Sequence, residues 1–371
     1  MNEYQGRIAR LQELMREAEA RLIVIAGTDQ MRYLTGWREG GHERFVGLLI
    51  PASGDPAFVV PAMNAPQAAQ TSAGIAQVIG WDDGPGWHEA VQSLFATWRV
   101  GGADTVLADD ELLSVHLLAM QHLFPNMHWE AAGPTMTRLR EIKTPEELAA
   151  MQQAADLIDG IFEEAVGALQ EGMTERDLAD IVLAAIKAKG SSPSFSPLIC
   201  FGANAALPHH HTGSARLKRG DVVIIDIGCT SDHYASDITR TVSFGPPADP
   251  DAASVYEIVF KAHQTAREAA QPGVSGEQVD AAARKVIIDA GYGEYFIHRT
   301  GHGIGLSTHE PPNIVKGNIA PLQPGMCFSI EPGIYLPGRF GVRVENIVTM
   351  TSEGARSLDA EASPTLRIIG S

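Results

Sequence analysis

Gly220-Asp221-Val222-Val223-Ile224-Ile225-Asp226-Ile227-Gly228, followed by Ser236-Asp237-Ile238-Thr239-Arg240-Thr241, is the stretch on which the fold turns. Residues 222–227 are nearly all apolar, as suits a strand covered on both faces, yet Asp226 sits inside the run. A buried ionised carboxylate is costly unless it is paired or bound to metal. Eleven residues on, Asp237 precedes a second β-type run at 241–244, and a hairpin would bring the two aspartates face to face.

The arrangement recurs downstream. Glu331 follows Cys327-Phe328-Ser329-Ile330 as Asp226 follows its own apolar run. Glu345, in Val342-Arg343-Val344-Glu345 with Arg343 on the same strand face, repeats the situation of Asp237. Gly220, Asp226 and Gly228 match Gly325, Glu331 and Gly333 with an offset of 105. Gly172-Met173-Thr174 opens a helical stretch ending near Gly190, and Gly273-Val274-Ser275 opens a similar one ending near Gly291, with an offset of 101. Two half-domains related by an approximate two-fold axis explain both offsets.

Four carboxylates converging on one sheet would repel each other by about 4 kcal/mol per close pair at an effective dielectric of about 20. Cations must neutralise them. Oxygen ligands with one imidazole suit Mn, Co, Zn or Fe, and two such ions can share bridging carboxylates. The imidazole is expected from His298-Arg299-Thr300-Gly301-His302-Gly303-Ile304-Gly305 or from the His309-Glu310-Pro311-Pro312 that follows. Glycines around His302 let the backbone approach closely, but spacing alone does not choose among His298, His302 and His309.

Outward from this region, 371 residues with 44% apolar content are enough for two hydrophobic cores. Tyr4, Ile8, Leu11, Met15 and Ala18 recur at helical spacing, and strand-like runs follow at 22–26, 45–50, 57–60 and 106–108. That alternation predicts a smaller α/β domain over residues 1–134, closed by the break at Gly133-Pro134. The larger domain, of α+β class, spans 135–371. Its first helix starts at Thr144-Pro145-Glu146-Glu147, a capping box with proline at the first helical position, and carries Leu148, Met151, Ala155, Ile158 and Phe162 on one stripe.

The formal charge of -17 argues against nucleic acid or an anionic membrane as partner. Cys200, Cys229 and Cys327 are too scattered for a disulfide framework or a cysteine zinc site. No apolar run is long enough to span a bilayer, and a cytoplasmic protein is expected.

Asp226-Ile227-Gly228, Ser236-Asp237-Ile238-Thr239-Arg240, Gly301-His302-Gly303-Ile304-Gly305, Ile330-Glu331-Pro332-Gly333 and Arg343-Val344-Glu345 stand in the order and spacing of a known set. Together they resemble the metallopeptidases that include prolidase, aminopeptidase P and methionine aminopeptidase. The likeness implies a pita-bread catalytic domain with pseudo-two-fold symmetry, preceded by a creatinase-type N-terminal domain, usually as a homodimer. It also implies two divalent ions (Mn, Co or Zn). Asp226 would bind one, His302 and Glu331 the other, and Asp237 and Glu345 would bridge both. A bridging water acidified toward hydroxide would attack the scissile carbonyl, with Glu331 accepting its proton. His209, His298 and His309 match substrate-contacting or oxyanion-stabilising positions, and Arg343 joins the catalytic candidates. His210 and His211 read as solvated loop residues.

The Leu207-Pro208-His209 and His309-Glu310-Pro311-Pro312 strings look like the branch that accepts proline after the scissile bond, and imply small Xaa-Pro peptides, dipeptides foremost, as substrates. An aminopeptidase P acting on longer peptides and a creatinase-like C–N hydrolase are the rivals. A non-catalytic module of the same fold is a third, and the complete ligand set weighs against it. A dipeptidase needs a cation for the proline carboxylate. Some prolidases have an arginine shortly after the His-Glu-x-Pro motif, where this chain has Asn313, with Lys316 the nearest cation. Arg38 or Arg44, in the glycine-containing segment 36–44, is expected to reach the site of its own or a neighbouring subunit as a substitute.

Overall fold

Residues 22–26 form the middle of β1 (Ala20–Ala26), whose side chains are buried except for Arg21. β1 pairs antiparallel with β2 (Gly47–Pro51) and parallel with β5 (Thr105–Ala108). With β3 (Ala57–Pro61), β4 (Gln77–Trp81) and β6 (His128–Ala131) they build a six-stranded sheet in the order β4-β3-β2-β1-β5-β6. The four inner strands are those that apolar runs announce. The edge strands β4 and β6 leave most side chains partly or fully exposed, so no such run marks them.

Helices α1 (Glu3–Glu17), α2 (Asp29–Thr35), α3 (Ala65–Ala68), α4 (His88–Trp98), α5 (Ser114–Leu123) and α6 (Gly133–Arg140) belong to the same unit. α1 buries Ile8, Leu11, Leu14 and Met15, whereas Ala18, expected on that stripe, lies exposed past the helix end. α4 packs Val91, Leu94 and Phe95 against Leu22, Val24 and Leu49 of the sheet. Gly133-Pro134 opens α6. The computed structural model describes residues 2–71 and 73–370, and the chain divides into Met1–Arg140 and Glu141–Ser371.

In the second unit Thr144 caps α7 (Pro145–Gly167): its hydroxyl accepts from the Glu147 amide, and the Glu147 carboxylate accepts from the Thr144 amide at 2.8 Å. α7 and α8 (Glu175–Ala188) share a core with β7 (Leu198–Phe201), β8 (Val222–Ile227) and β11 (Ile238–Phe244), where Ile158, Leu178, Val182, Ile199 and Val223 are buried. The short ribbon of β9 (Thr230–Ser231) and β10 (Tyr234–Ala235) connects β8 to β11.

The second half repeats the plan. α9 (Ala252–Ala269) and α10 (Gly276–Asp289) pack Val255, Val259, Ala283 and Ile287 against Phe328 and Ile330 of β14 (Cys327–Ile330) and Val348 of β17 (Asn346–Thr351). The ribbon of β15 (Gly333–Leu336) and β16 (Phe340–Arg343) connects β14 to β17 as β9–β10 connects β8 to β11. With β12 (Gly301–Gly303), β13 (Glu310–Ile314), β18 (Gly354–Ser357) and β19 (Arg367–Ile369), the sheets run β19-β11-β8-β7 and β13-β12-β14-β17-β18.

The two offsets seen in the sequence therefore have structural counterparts. Gly172 and Gly273 have φ of 86° and 87°, and their amides donate to the carbonyls of Leu217 and Leu322 at 2.8 Å each. The 14-residue helices α8 and α10 both begin in capping boxes, and Gly220 and Gly325 take φ of 90° and 92°. These left-handed turns need glycine, which is why its spacing was informative.

Lys143, just before α7, is fixed to the second half: its amide donates to Gly325 O, and its ammonium meets Glu310 Oε1 at 2.7 Å with side-chain exposures of only 2% and 9%. Removing one member of such a pair strands the other charge. Lys143→Met is expected to lower the unfolding free energy by about 3 kcal/mol in urea denaturation. A loss below about 1 kcal/mol would equate the pair with an exposed one.

Candidate metal centre

Strand ends place the acids. Asp226 is the penultimate residue of β8, and Asp237 immediately precedes β11. The antiparallel register pairs Asp226 with Thr239 and Ile227 with Ile238, so the two aspartates are diagonal neighbours and not face to face. Glu331 follows β14 and Glu345 precedes β17. The four acids thus come from two sheets, two from each half, and not from one sheet. The halves are joined here: Glu345 donates its amide to Thr239 O at 3.1 Å and accepts from the Thr239 hydroxyl at 2.7 Å, while Arg240 donates to Glu345 O.

His302 sits in the middle of β12, squeezed between β13 and β14. A Cβ at Gly301 would lie 1.9 Å from Ser329 O, and one at Gly303 2.3 Å from Pro311 backbone, so neither position admits a side chain. The Nδ1 of His302 lies 3.1 Å from Gly303 O, a carbonyl that can only accept, which assigns the ring proton to Nδ1. Nε2 is then a free lone pair, 3.3 Å from Glu331 Oε1 and 3.8 Å from Asp237 Oδ2. Among the three histidines left open by the sequence, His302 is the one whose nitrogen joins the acids: Asp237, His302 and Glu345 offer ligand atoms within 4.8 Å of one another.

Divalent cations fit these residues. Asp226 Oδ1, Asp237 Oδ1 and Glu345 Oε1 are buried and accept no hydrogen bond among the described residues, an expensive condition for carboxylate oxygens that a cation would relieve. Burial, then repulsion from Glu345, Asp226 and Glu331, holds Asp237 well above the usual carboxylate range. Burial and the charges of Glu331 and Asp226 do the same to Glu345. Burial lifts Glu331 to about 7 against the pull of Arg343, and lifts Asp226 against the same arginine. Burial lowers His302 to about 3, with His309 contributing, so its ring is neutral and able to ligate.

These groups line one cavity of about 740 Å³ together with His209, His298, His309, Arg299 and Arg343 and the apolar side chains of Phe195, Leu198 and Pro208. Arg343 donates to Asp226 Oδ2, to the Tyr335 hydroxyl at 3.0 Å and to Thr239 Oγ1 at 3.1 Å. His298 Nε2 is 2.8 Å from the Tyr335 hydroxyl, and burial lowers its pKa to about 4. His309 is exposed, its ring centroid 4.0 Å from that of His302, and His209 is exposed on the wall.

His210 is not a solvated loop residue. Its Nε2 lies 2.7 Å from Glu175 Oε2, and the fully buried Glu175 also accepts from the amides of Phe201 and Gly213 and from the Asn204 side chain. Glu175, missed in the sequence because it reads as an ordinary first-turn acid of α8, thereby pins the segment that carries His209. Asn313 accepts from Arg299, whose Nη1 donates to Asn313 Oδ1 at 2.6 Å. Arg38 pairs with Asp29 at 2.7 Å, and Arg44 pairs with Asp83 at 2.8 and 2.9 Å, all within the N-terminal unit.

Four acids, three of them with a buried oxygen that accepts no hydrogen bond, and one imidazole, gathered where two repeated halves join, are the equipment of a metal-dependent enzyme. Residues 149–352 match metallopeptidase family M24, and residues 7–142 match the Creatinase/Prolidase N-terminal domain; the chain belongs to family M24 and is a hydrolase of the pita-bread fold. It is 41% identical to a probable dipeptidase PepE of Mycobacterium tuberculosis over 92% of this chain and 90% of that one. It is 36% identical to an Xaa-Pro dipeptidase of Lactobacillus helveticus over 94% and 95% of the two chains. Among solved structures, a recombinant prolidase from Thermococcus sibiricus superposes with a TM-score of 0.94 at 34% identity, each chain covered in full.

The raised carboxyls carry a pH consequence. Glu331 titrates at about 7 in the metal-free fold against 4.5 unperturbed, so its contribution to that fold is full below about 4.5 and is lost as pH rises through 7. A cation must displace the proton below pH 7. Calorimetric titration of the metal-free protein with Mn²⁺ is expected to show proton release at pH 6 and an affinity that rises toward pH 8. An affinity independent of pH would exclude these carboxyls as ligands.

Proposed function

We propose that the chain hydrolyses the amide bond before proline in small peptides, Xaa-Pro dipeptides foremost, with two divalent cations held by Asp226, Asp237, His302, Glu331 and Glu345. The observation that carries this reading is the convergence of those five side chains on one cavity, three of them with buried carboxylate oxygens free of hydrogen bonds. Membership of family M24, and relatives named dipeptidase, Xaa-Pro dipeptidase and prolidase, support the peptide substrate. Mn, Co or Zn suits the donor set, and the same reading takes the homodimer and the cytoplasmic location from the family.

The bound cations supply Lewis acidity, polarising a carbonyl and acidifying water. Glu331, whose Oε1 lies 3.3 Å from His302 Nε2 on the cavity wall, is placed to take a proton from water and return it to the departing proline nitrogen. His302 keeps its ring proton on Nδ1, directed at Gly303 O, so Nε2 is the nitrogen that would hold a cation. Arg343 holds Asp226 in place, and the Tyr335 hydroxyl ties Arg343 to His298. His209 and His309 border the space where the carbonyl oxygen would become negative and can offer it a ring N–H, whereas His298, with Nδ1 on Arg299 O and Nε2 on the Tyr335 hydroxyl, has no proton left for it and shapes the wall. A proline ring has no N–H and a fixed φ, so it is recognised by shape. Phe195, Leu198 and Pro208 give the cavity an apolar wall for it.

A hydrolysis panel of Gly-Pro, Ala-Pro, Ala-Pro-Gly, Ala-Gly and creatine, run on protein stripped by a chelator and reloaded with one metal at a time, tests this. Xaa-Pro compounds are expected to be cleaved only after reloading, and Asp237→Asn to lower kcat/KM at least about a hundredfold. Cleavage of creatine alone, or full activity in Asp237→Asn, would sink the reading.

A further inference from the structure

The stretch that carries Pro208 and His209 is held from behind by a fully buried carboxylate, that of Glu175, the first residue of α8. Each of its oxygens takes two donors: the Phe201 amide at 2.9 Å and the Asn204 side chain at 2.8 Å on Oε1, the Gly213 amide at 2.9 Å and His210 Nε2 at 2.7 Å on Oε2. These donors stand on both sides of His209 in the chain, so one side chain clamps the segment 201–213 at its two ends. Thr212 adds a tie to β7, accepting from the Ile199 amide and donating to Pro197 O at 2.9 Å each. His209 itself is exposed on the cavity wall, and no hydrogen bond holds its ring among the described residues. Its place is therefore set by the backbone on either side, and Glu175 and His210 set that backbone.

The second half does the same with a different acid. Buried Asp280 of α10 accepts from the amide and the hydroxyl of Thr300 at 3.1 and 2.7 Å, and Thr300 lies between His298 and His302 in the chain. Each half thus ties the segment that carries its histidines to its second helix through a buried carboxylate. His210 is what the first half adds, since it makes the tie depend on the side chain next to His209. Neither Glu175 nor His210 lines the cavity or hydrogen-bonds to the five candidate metal ligands among the described residues. We propose that Glu175 and His210 are positioning residues that hold His209 where its ring N–H can meet the carbonyl oxygen that becomes negative in the reaction. This rests on the peptidase reading above and adds to it a part that lies outside the cavity. A donor aimed at developing charge is used in the transition state, so loosening the segment costs kcat and leaves substrate binding in place.

The test measures kcat and KM for Ala-Pro in metal-loaded wild type, Glu175→Gln, His210→Ala, His210→Gln, His209→Ala and the double variant His209→Ala/His210→Ala, with Mn²⁺ affinity followed by calorimetry. His209→Ala is expected to lower kcat about a hundredfold, and Glu175→Gln and His210→Ala about tenfold, with KM and Mn²⁺ affinity within about twofold of wild type. His210→Gln, whose side-chain amide can still donate to Glu175, is expected to recover most of the loss. The double variant is expected to be no slower than His209→Ala, because the pair acts only through that ring. The His210 side chain is 14% exposed, so its variants answer the question even where Glu175→Gln fails to fold. An unchanged kcat in His210→Ala overturns the assignment while the peptidase reading stands, and so does a loss in the double variant equal to the sum of the single ones. A kcat that falls only in step with Mn²⁺ affinity overturns it too, because the pair then supports the cations. A wild type that cleaves no Xaa-Pro dipeptide overturns both readings.

Discussion

Negative charge packed where water is scarce is the constraint around which the catalytic unit is built. Asp226, Asp237, Glu331 and Glu345 share one cavity, and each is pushed toward its protonated form first by burial. Arg343 offsets the charge of Asp226 directly, and Thr239 fills one oxygen of Glu345. The oxygens left over, together with His302 Nε2, are the atoms that would hold cations. A sheet alone would not tolerate this concentration of acid. The hydrogen bonds that cross from β11 to residues 343–345 are what hold it together, and they join one half of the repeat to the other.

The repeat also shows where the halves have diverged. Each half supplies one acid at the end of a strand and one just before the antiparallel partner of that strand: Asp226 and Asp237 from the first, Glu331 and Glu345 from the second. The flanking strands correspond as well, since β7 lies beside β8 and β12 beside β14. Yet β7 carries buried Ile199-Cys200-Phe201, whereas β12 carries Gly301-His302-Gly303. The imidazole is therefore present once, and the two sides of the site are chemically different although the backbone that presents them is nearly symmetric.

Which parts were legible follows from how unusual each residue is for its surroundings. Asp226 stands out because an acid interrupts an apolar strand, and the positive-φ glycines Gly172, Gly220, Gly273 and Gly325 stand out because left-handed turns exclude other residues. Choosing His302 from His298 and His309 needed the tight β12 ladder and the Gly303 carbonyl, neither of which spacing encodes. Glu175, Lys143 and Arg299 carry no mark in the sequence, since burial of a single charged side chain leaves no periodic trace. Strands β4 and β6 were silent for the opposite reason: edge strands have too few buried positions to show a pattern.

Charge balance ties the metal centre to its surroundings. Two divalent cations would match the four carboxylates, so the loaded cavity takes its net sign from Arg343 and Arg299 and is positive, within a chain whose formal charge is -17. His298 and His302 add nothing to that sign near neutrality, because burial lowers them to about 4 and about 3. Arg299 helps lower His302 and His309, and Arg343 helps lower His298, so the two arginines keep neighbouring rings neutral while leaving their own charge in place. An anionic group entering such a cavity moves out of a negative field into a positive one. The acids would thus draw in the cations, and with those bound the two arginines would set the sign of the field that an incoming group meets.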